Sequence, residues 1–125
     1  MSKTILLIED EAVFRDILHK KLTHEGFEVI EETEGPRGLS TALQKRPDLI
    51  LLDILMPNGG GMEMVKLLRE DAWGKTAKVI LLTNVHDIEK VQNALENEIF
   101  EYFIKSDIKL EEIVDKINSM LLETD

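Results

Sequence analysis

The sequence contains no cysteine, no long apolar run and too few basic residues to balance its acids. Each absence removes a class of function. Without cysteine there is no disulfide and no thiolate ligand, and His19, His24 and His86 keep no metal-ligand spacing, so nothing supports a structural zinc site. A metal here would be held by oxygen. Lys and Arg number 15 against 25 Asp and Glu, a formal net charge of −10 at pH 7. That balance opposes non-specific nucleic-acid binding, which needs a cationic face against phosphate. The first apolar run, Ile5 to Ile8, is too short for a signal-peptide core or a membrane span. The expectation is a cytoplasmic protein with no direct contact to nucleic acid or membrane. Gly59-Gly60-Gly61 lacks the Gly-Lys-Ser/Thr ending of a phosphate-binding P-loop, so it reads only as a free loop. There is no repeat, low-complexity stretch or linker, and 125 residues suit one domain with its own core.

Three short apolar runs are present: Ile5 to Ile8, Leu49 to Leu52 and Val79 to Leu82. None alternates with polar residues, which is how strands buried on both faces of a parallel sheet read. Two more polar segments, Phe27 to Glu32 and Phe100 to Ile104, suit strands nearer an edge. Between these runs the period becomes helical. Phe14, Ile17, Leu18 and Leu22 form one stripe, stopped by His24-Glu25-Gly26. Pro36 opens a second helix carrying Leu39, Ala42 and Leu43, which must end before Pro47. Met62, Val65 and Leu68 mark a third. Ile88, Val91, Ala94 and Leu95 mark a fourth, with Asp87 as its expected cap. Leu110, Ile113, Val114, Ile117 and Leu121 mark the last, with Ser106 or Asp107 as the cap. Strand and helix alternate five times, which predicts a doubly wound α/β domain.

Ligands of such domains bind beyond the carboxyl ends of the strands. Glu9, Asp10, Asp53, Thr83 and Lys105 all fall at those ends. Three carboxylates in one cleft repel one another and are stable as anions when a cation joins them. Mg²⁺ suits them, since it takes one or two carboxylates, several waters and phosphate oxygens. A carboxylate beside a metal and a lysine can also attack phosphorus and form an aspartyl phosphate.

The motifs Ile5-Leu6-Leu7-Ile8-Glu9-Asp10-Glu11, Asp48 to Pro57, Val79 to Thr83 and Tyr102-Phe103-Ile104-Lys105 together resemble the receiver domain of two-component response regulators. The resemblance covers essentially the whole chain, residues 1–125, and leaves no output domain. It implies a flavodoxin-like fold of five parallel strands in the order 2-1-3-4-5. It implies that Asp53 accepts a phosphoryl group from the phosphohistidine of a sensor histidine kinase or a histidine phosphotransfer protein. Asp10, Asp53 and the backbone carbonyl of Leu55 would bind Mg²⁺, with Glu9 acting through water. Lys105 and Thr83 would contact the phosphoryl group, and Tyr102 would be the switch aromatic. Phosphorylation would then remodel the face of the fourth helix, fifth strand and last helix, which would bind a downstream protein or support a phosphorylation-linked dimer. Apolar Ile99, Phe100 and Phe103 are expected near that face.

The departures from the family pattern also carry expectations. Ser106 stands where a proline usually follows the lysine, and Asn84 stands where a small residue usually follows the threonine. Asn84 is expected to narrow access to Asp53 or to bond the phosphoryl group. Leu55 and Val85, two residues beyond Asp53 and Thr83, offer no polar group to orient water, so slow autodephosphorylation is expected. The same Leu55 counts against an aspartyl-nucleophile phosphatase, which would want an acid there. The competing class is a pseudo-receiver, a binding module that signals without phosphate. Among the remaining features, the acids at 28, 31, 32 and 34 read as a solvated face and Trp73 as loop packing.

Overall fold

Each of the three apolar runs becomes a central strand, and each helical stripe covers one face of the sheet they form. The computed structural model describes residues 2–54, 56, 60–95 and 100–122. Strands β1 (Thr4–Ile8), β2 (Glu28–Glu32), β3 (Leu49–Asp53), β4 (Val79–Thr83) and β5 (Glu101–Ile104) lie parallel in the order β2-β1-β3-β4-β5. The two polar strands are the two edges, as their composition requires.

The sheet's two faces carry separate cores. Ile5, Leu7, Leu51, Ile80 and Leu82 meet Leu18 and Leu22 of α1 (Ala12–His24) and Ile113, Val114 and Ile117 of α5 (Leu110–Leu122). Leu6, Ile8, Ile50, Leu52 and Leu81 meet α2 (Gly35–Lys45), α3 (Gly61–Glu70) and α4 (Ile88–Ala94) through Ala42, Met64, Val65, Leu68 and Val91. Every side chain of Ile5 to Ile8 and Leu49 to Leu52 is fully buried. Each contributes about 1.5–3 kcal/mol of burial, enough to place the strands without help from their ends.

Helix ends explain most of the connections. Gly26, at φ 96°, closes α1 in a conformation that costs other residues strain, and Phe27 N–H donates to Leu22 O in the same turn. Phe27 therefore belongs to the turn and not to β2. Arg46, at φ 47°, ends α2 before Pro47, whose ring disfavours helix in the preceding residue. Asp87 precedes α4 but makes no side-chain capping bond. Ser106 and Asp107 do not occupy the cap position of α5: Lys105–Asp107 form a 3₁₀ turn, and α5 starts only at Leu110, where Glu111 and Glu112 suit the positive end of the helix. Among the described residues, no helix is long and apolar enough to cross a membrane.

Candidate functional site

The chain brings three acids together by ending two adjacent strands at the same level. Glu9 prolongs β1, its N–H donating to Glu32 O at 3.0 Å, and Ile54 prolongs β3, its N–H donating to Leu82 O at 3.0 Å. One carboxylate oxygen each from Glu9, Asp10 and Asp53 can lie within 4.8 Å of one another. Glu9 is fully buried and Asp53 is 6% exposed, whereas Asp10 faces solvent. Asp10, Glu11, Phe14, Asp53, Asn84, Lys105 and Ser106 line one open cleft above them.

Lys105 reaches this cleft from the far end of the sequence. Its Nζ lies 3.1 Å from Glu9 Oε1, 3.2 Å from Asp53 Oδ2 and 3.3 Å from Glu11 Oε1. The ammonium also sits 4.8 Å from the centre of the Phe14 ring, a cation–π distance. Burial alone would lower the Lys105 pKa, but the charges of Asp53 and Glu9 outweigh it and hold the group above its usual value.

Glu9 is fixed at both its carbonyl and its carboxyl. Arg15 Nη1 donates to the Glu9 carbonyl at 3.0 Å, and Glu11 N–H donates to Glu9 Oε2 at 3.0 Å. Burial, with a smaller push from the Asp53 charge, raises its pKa to about 7, against the opposing Glu11 N–H and Lys105. Its Oε1 is buried and accepts no aligned hydrogen bond, although the Lys105 charge is close. An orphaned anionic oxygen facing two further carboxylates fits a hard cation.

Thr83 is buried, and its Oγ1 donates to the Asn84 carbonyl at 3.3 Å. It lines a second hollow with Leu81, Ile88, Val91, Phe100 and Tyr102. Tyr102 is 45% exposed. Thus Asp10, Asp53, Asn84 and Lys105 line the cleft with Glu9 buried against Lys105, while Thr83 and Tyr102 line a separate hollow between β4, β5 and α4. Leu55 and the side chain of Val85 lie outside the described residues, as does Ile99. Phe100 and Phe103 pack against opposite faces of the sheet, so they form no single apolar patch.

A sequence profile of the response regulator receiver domain matches residues 5–118. The chain belongs to the response regulator receiver domain family. Curated relatives of this receiver domain include the phosphate regulon transcriptional regulatory protein PhoB of Klebsiella pneumoniae, 31% identical over 97% of this chain and 52% of that protein. The DNA-binding response regulator MtrA of Mycobacterium tuberculosis is 30% identical over 100% of this chain and 53% of that protein. The chain thus spans about half the length of the curated relatives it matches. Among solved structures, the chemotaxis response regulator CheY4 of Vibrio cholerae superposes with a TM-score of 0.83 at 24% identity, covering 95% of this chain and 98% of that one. That likeness shows the fold.

Receiver domains act in two-component systems, with phosphorylation on aspartate as the general mechanism, and they generally bind Mg²⁺. They interact with histidine kinases or phosphotransfer proteins and with downstream targets. The acids of this receiver domain suit that chemistry. Three neighbours of the site carried no role in the sequence reading: Glu11, Phe14 and Arg15. Phe14 looked like part of a core stripe, and it does pack on that core while also lining the cleft. Glu11 extends the acidic run that ends β1, a signal present in the sequence. Arg15 has no local signal, because its partner is a backbone carbonyl.

Proposed function

We propose that Asp53 is the phosphoacceptor of this receiver domain. One Asp53 carboxylate oxygen bonds to phosphorus as the phosphorus–nitrogen bond of a partner kinase's or phosphotransfer protein's phosphohistidine breaks. The imidazole nitrogen leaves with the electron pair and takes up a proton. Asp10 and Asp53 would hold Mg²⁺ directly and Glu9 through water, with Leu55 O as a ligand resting on the family resemblance alone. Bound there, the cation supplies charge neutralisation at the phosphoryl oxygens. Lys105 exchanges its contact with Asp53 Oδ2 for a phosphoryl oxygen. Thr83 releases the Asn84 carbonyl and donates to another. Asn84, on the cleft wall, limits the approach of water and small donors. Tyr102 then leaves its exposed position, and the face formed by α4, β5 and α5 changes for a downstream protein or a second copy.

The observation that supports this reading is the convergence of Glu9, Asp10 and Asp53 with Lys105 Nζ at 3.1–3.2 Å from two of them. A phosphate-independent binding module is not favoured, since Asp10, Asp53, Thr83 and Lys105 are all retained. Incubation with Mg²⁺ and phosphoramidate, read by intact mass and peptide mapping, tests it. One phosphoryl adduct on Asp53, absent in Asp53→Asn, is expected. An adduct that persists in Asp53→Asn, or none in the unaltered chain, defeats the proposal. Trp73 sits in the α3–β4 connection, at the opposite end of the strands, so its fluorescence is a poor reporter of this adduct.

A further inference from the structure

We infer that Glu11 is a positioning residue for Lys105, holding the ammonium at the mouth of the cleft when a cation takes over the two inner carboxylates. The inference rests on Asp53 being the phosphoacceptor and adds a residue to which that reading gives no task.

Lys105 Nζ has three protons and three carboxylates at 3.1–3.3 Å, those of Glu9, Asp53 and Glu11. The three are not equivalent. Glu9 and Asp53 belong to the buried set that suits a metal, whereas the Glu11 side chain is 62% exposed and lies outside that set. A divalent cation held by Asp10 and Asp53, with Glu9 through water, would weaken the hold of Glu9 and Asp53 on Lys105 and repel the ammonium. Without a further anchor, a long and flexible side chain would then swing into water, and its ordering would cost entropy at every transfer.

Glu11 stands where such an anchor is needed. It lines the cleft beside Asp10, Phe14 and Lys105, and its own N–H is committed to Glu9 Oε2 at 3.0 Å, which fixes the backbone carrying it. The Phe14 ring, 4.8 Å from Nζ, adds a cation–π contact, so the Glu11 carboxylate and the ring both hold the ammonium. When a phosphoryl group forms on Asp53, Lys105 needs only to turn from one oxygen to another.

The test is a double-mutant cycle of Glu11→Gln and Lys105→Gln. The readouts are the initial rate of Asp53 phosphorylation by phosphoramidate at saturating Mg²⁺, the Kd for Mg²⁺, and the urea midpoint of the metal-free chain. Glu11→Gln should slow phosphorylation about two- to fivefold, the range for one partly exposed ion pair. In the Lys105→Gln background the same change should do nothing, and the urea midpoints should show a matching favourable coupling. Added salt should shrink the wild-type advantage. An equal fall in both backgrounds would make Glu11 merely structural and overturn the inference. So would an unchanged or faster rate in Glu11→Gln, or a tenfold or greater loss of Mg²⁺ affinity, which would place Glu11 in the cation's own shell. A wild-type chain that takes no phosphoryl group defeats both this inference and the assignment of Asp53. Normal phosphorylation with no coupling between residues 11 and 105 defeats this one alone.

Discussion

Glu9 has lost its water, and the cost of that burial is the cation's opportunity. Its pKa rises from 4.5 to about 7 in the metal-free fold, so the folded chain binds this proton more tightly than the unfolded chain does. Protonated Glu9 therefore favours the fold fully below the unfolded value, and that contribution is lost as pH climbs through about 7. The loss is on the order of 3 kcal/mol. In urea unfolding of the metal-free chain, Glu9→Gln should gain stability over wild type as pH rises from about 5 to 8, because glutamine stays neutral throughout. Parallel stability curves would show that the buried carboxyl does not titrate in this range. Mg²⁺ competes with the same proton, so it should stabilise the wild type more at the upper end of that range than at the lower. A second residue-scale outcome concerns the lifetime of the adduct. Leu55 and Val85 provide no polar group to align a hydrolytic water, so phosphorylated wild type should decay slowly and Leu55→Asn faster. Equal decay rates by intact mass would remove that role from position 55.

Among the elements, α3 begins under a tight backbone constraint at Gly61. A Cβ added to Gly61 would meet the Ile54 carbonyl oxygen at 2.4 Å and the Asp53 carbonyl oxygen at 3.0 Å. Backbone cannot yield as a flexible side chain does, so Gly61→Ala should cost about 1–3 kcal/mol as overpacking. Gly60 differs: at φ 64° a Cβ has room, and Gly60→Ala should cost only about 1 kcal/mol of left-handed strain. Urea midpoints of the two variants check the ranking, and a larger loss at Gly60 would contradict it. The glycine run looked like simple freedom in the sequence, because the approach of a helix to a carbonyl several residues back leaves no local signature. The central strands were legible for the opposite reason. Their four-residue apolar runs state burial on both faces, and the structure places β1, β3 and β4 within a residue of them. The start of α5 was not legible, since Asp107 resembles a capping residue while the 3₁₀ turn after Lys105 carries the chain past it. The acids at 28, 31 and 34 are exposed, as a solvated face requires, whereas Glu32 is half-buried. Glu31 pairs with His19 at 3.0 Å, and Glu32 accepts the Thr41 hydroxyl at 2.6 Å. Such pairings, like that of Glu11 with Lys105, join residues that only the fold makes neighbours.

Across the whole molecule, the end of β4 stands between the acidic cleft, lined by Asn84, and a mainly apolar hollow, lined by Thr83. The register sets Leu81 opposite Tyr102 and Thr83 opposite Ile104, and Thr83 and Tyr102 line the same hollow, so a shift of Thr83 towards Asp53 should be felt beside the tyrosine. The hollow between β4, β5 and α4 has a volume of about 20 Å³. That is room for about one water. A phenol ring is several times larger than one water, so an inward turn of Tyr102 should require α4 to shift. The seven residues of α4 are too few for a stable helix in isolation, and its hold on the sheet includes buried Val91, with Leu95 buried just beyond its end. Entry of Tyr102 should therefore displace or loosen α4 as a unit, which is a shift between two populated arrangements. Hydrogen exchange of the α4 amides, measured with Mg²⁺ and beryllofluoride against Mg²⁺ alone, should change clearly in wild type. In Tyr102→Ala the beryllofluoride adduct should still form on Asp53 while the change in α4 largely disappears. An unchanged α4 in wild type, or an equal change in Tyr102→Ala, would mean that the two hollows are not coupled through this ring.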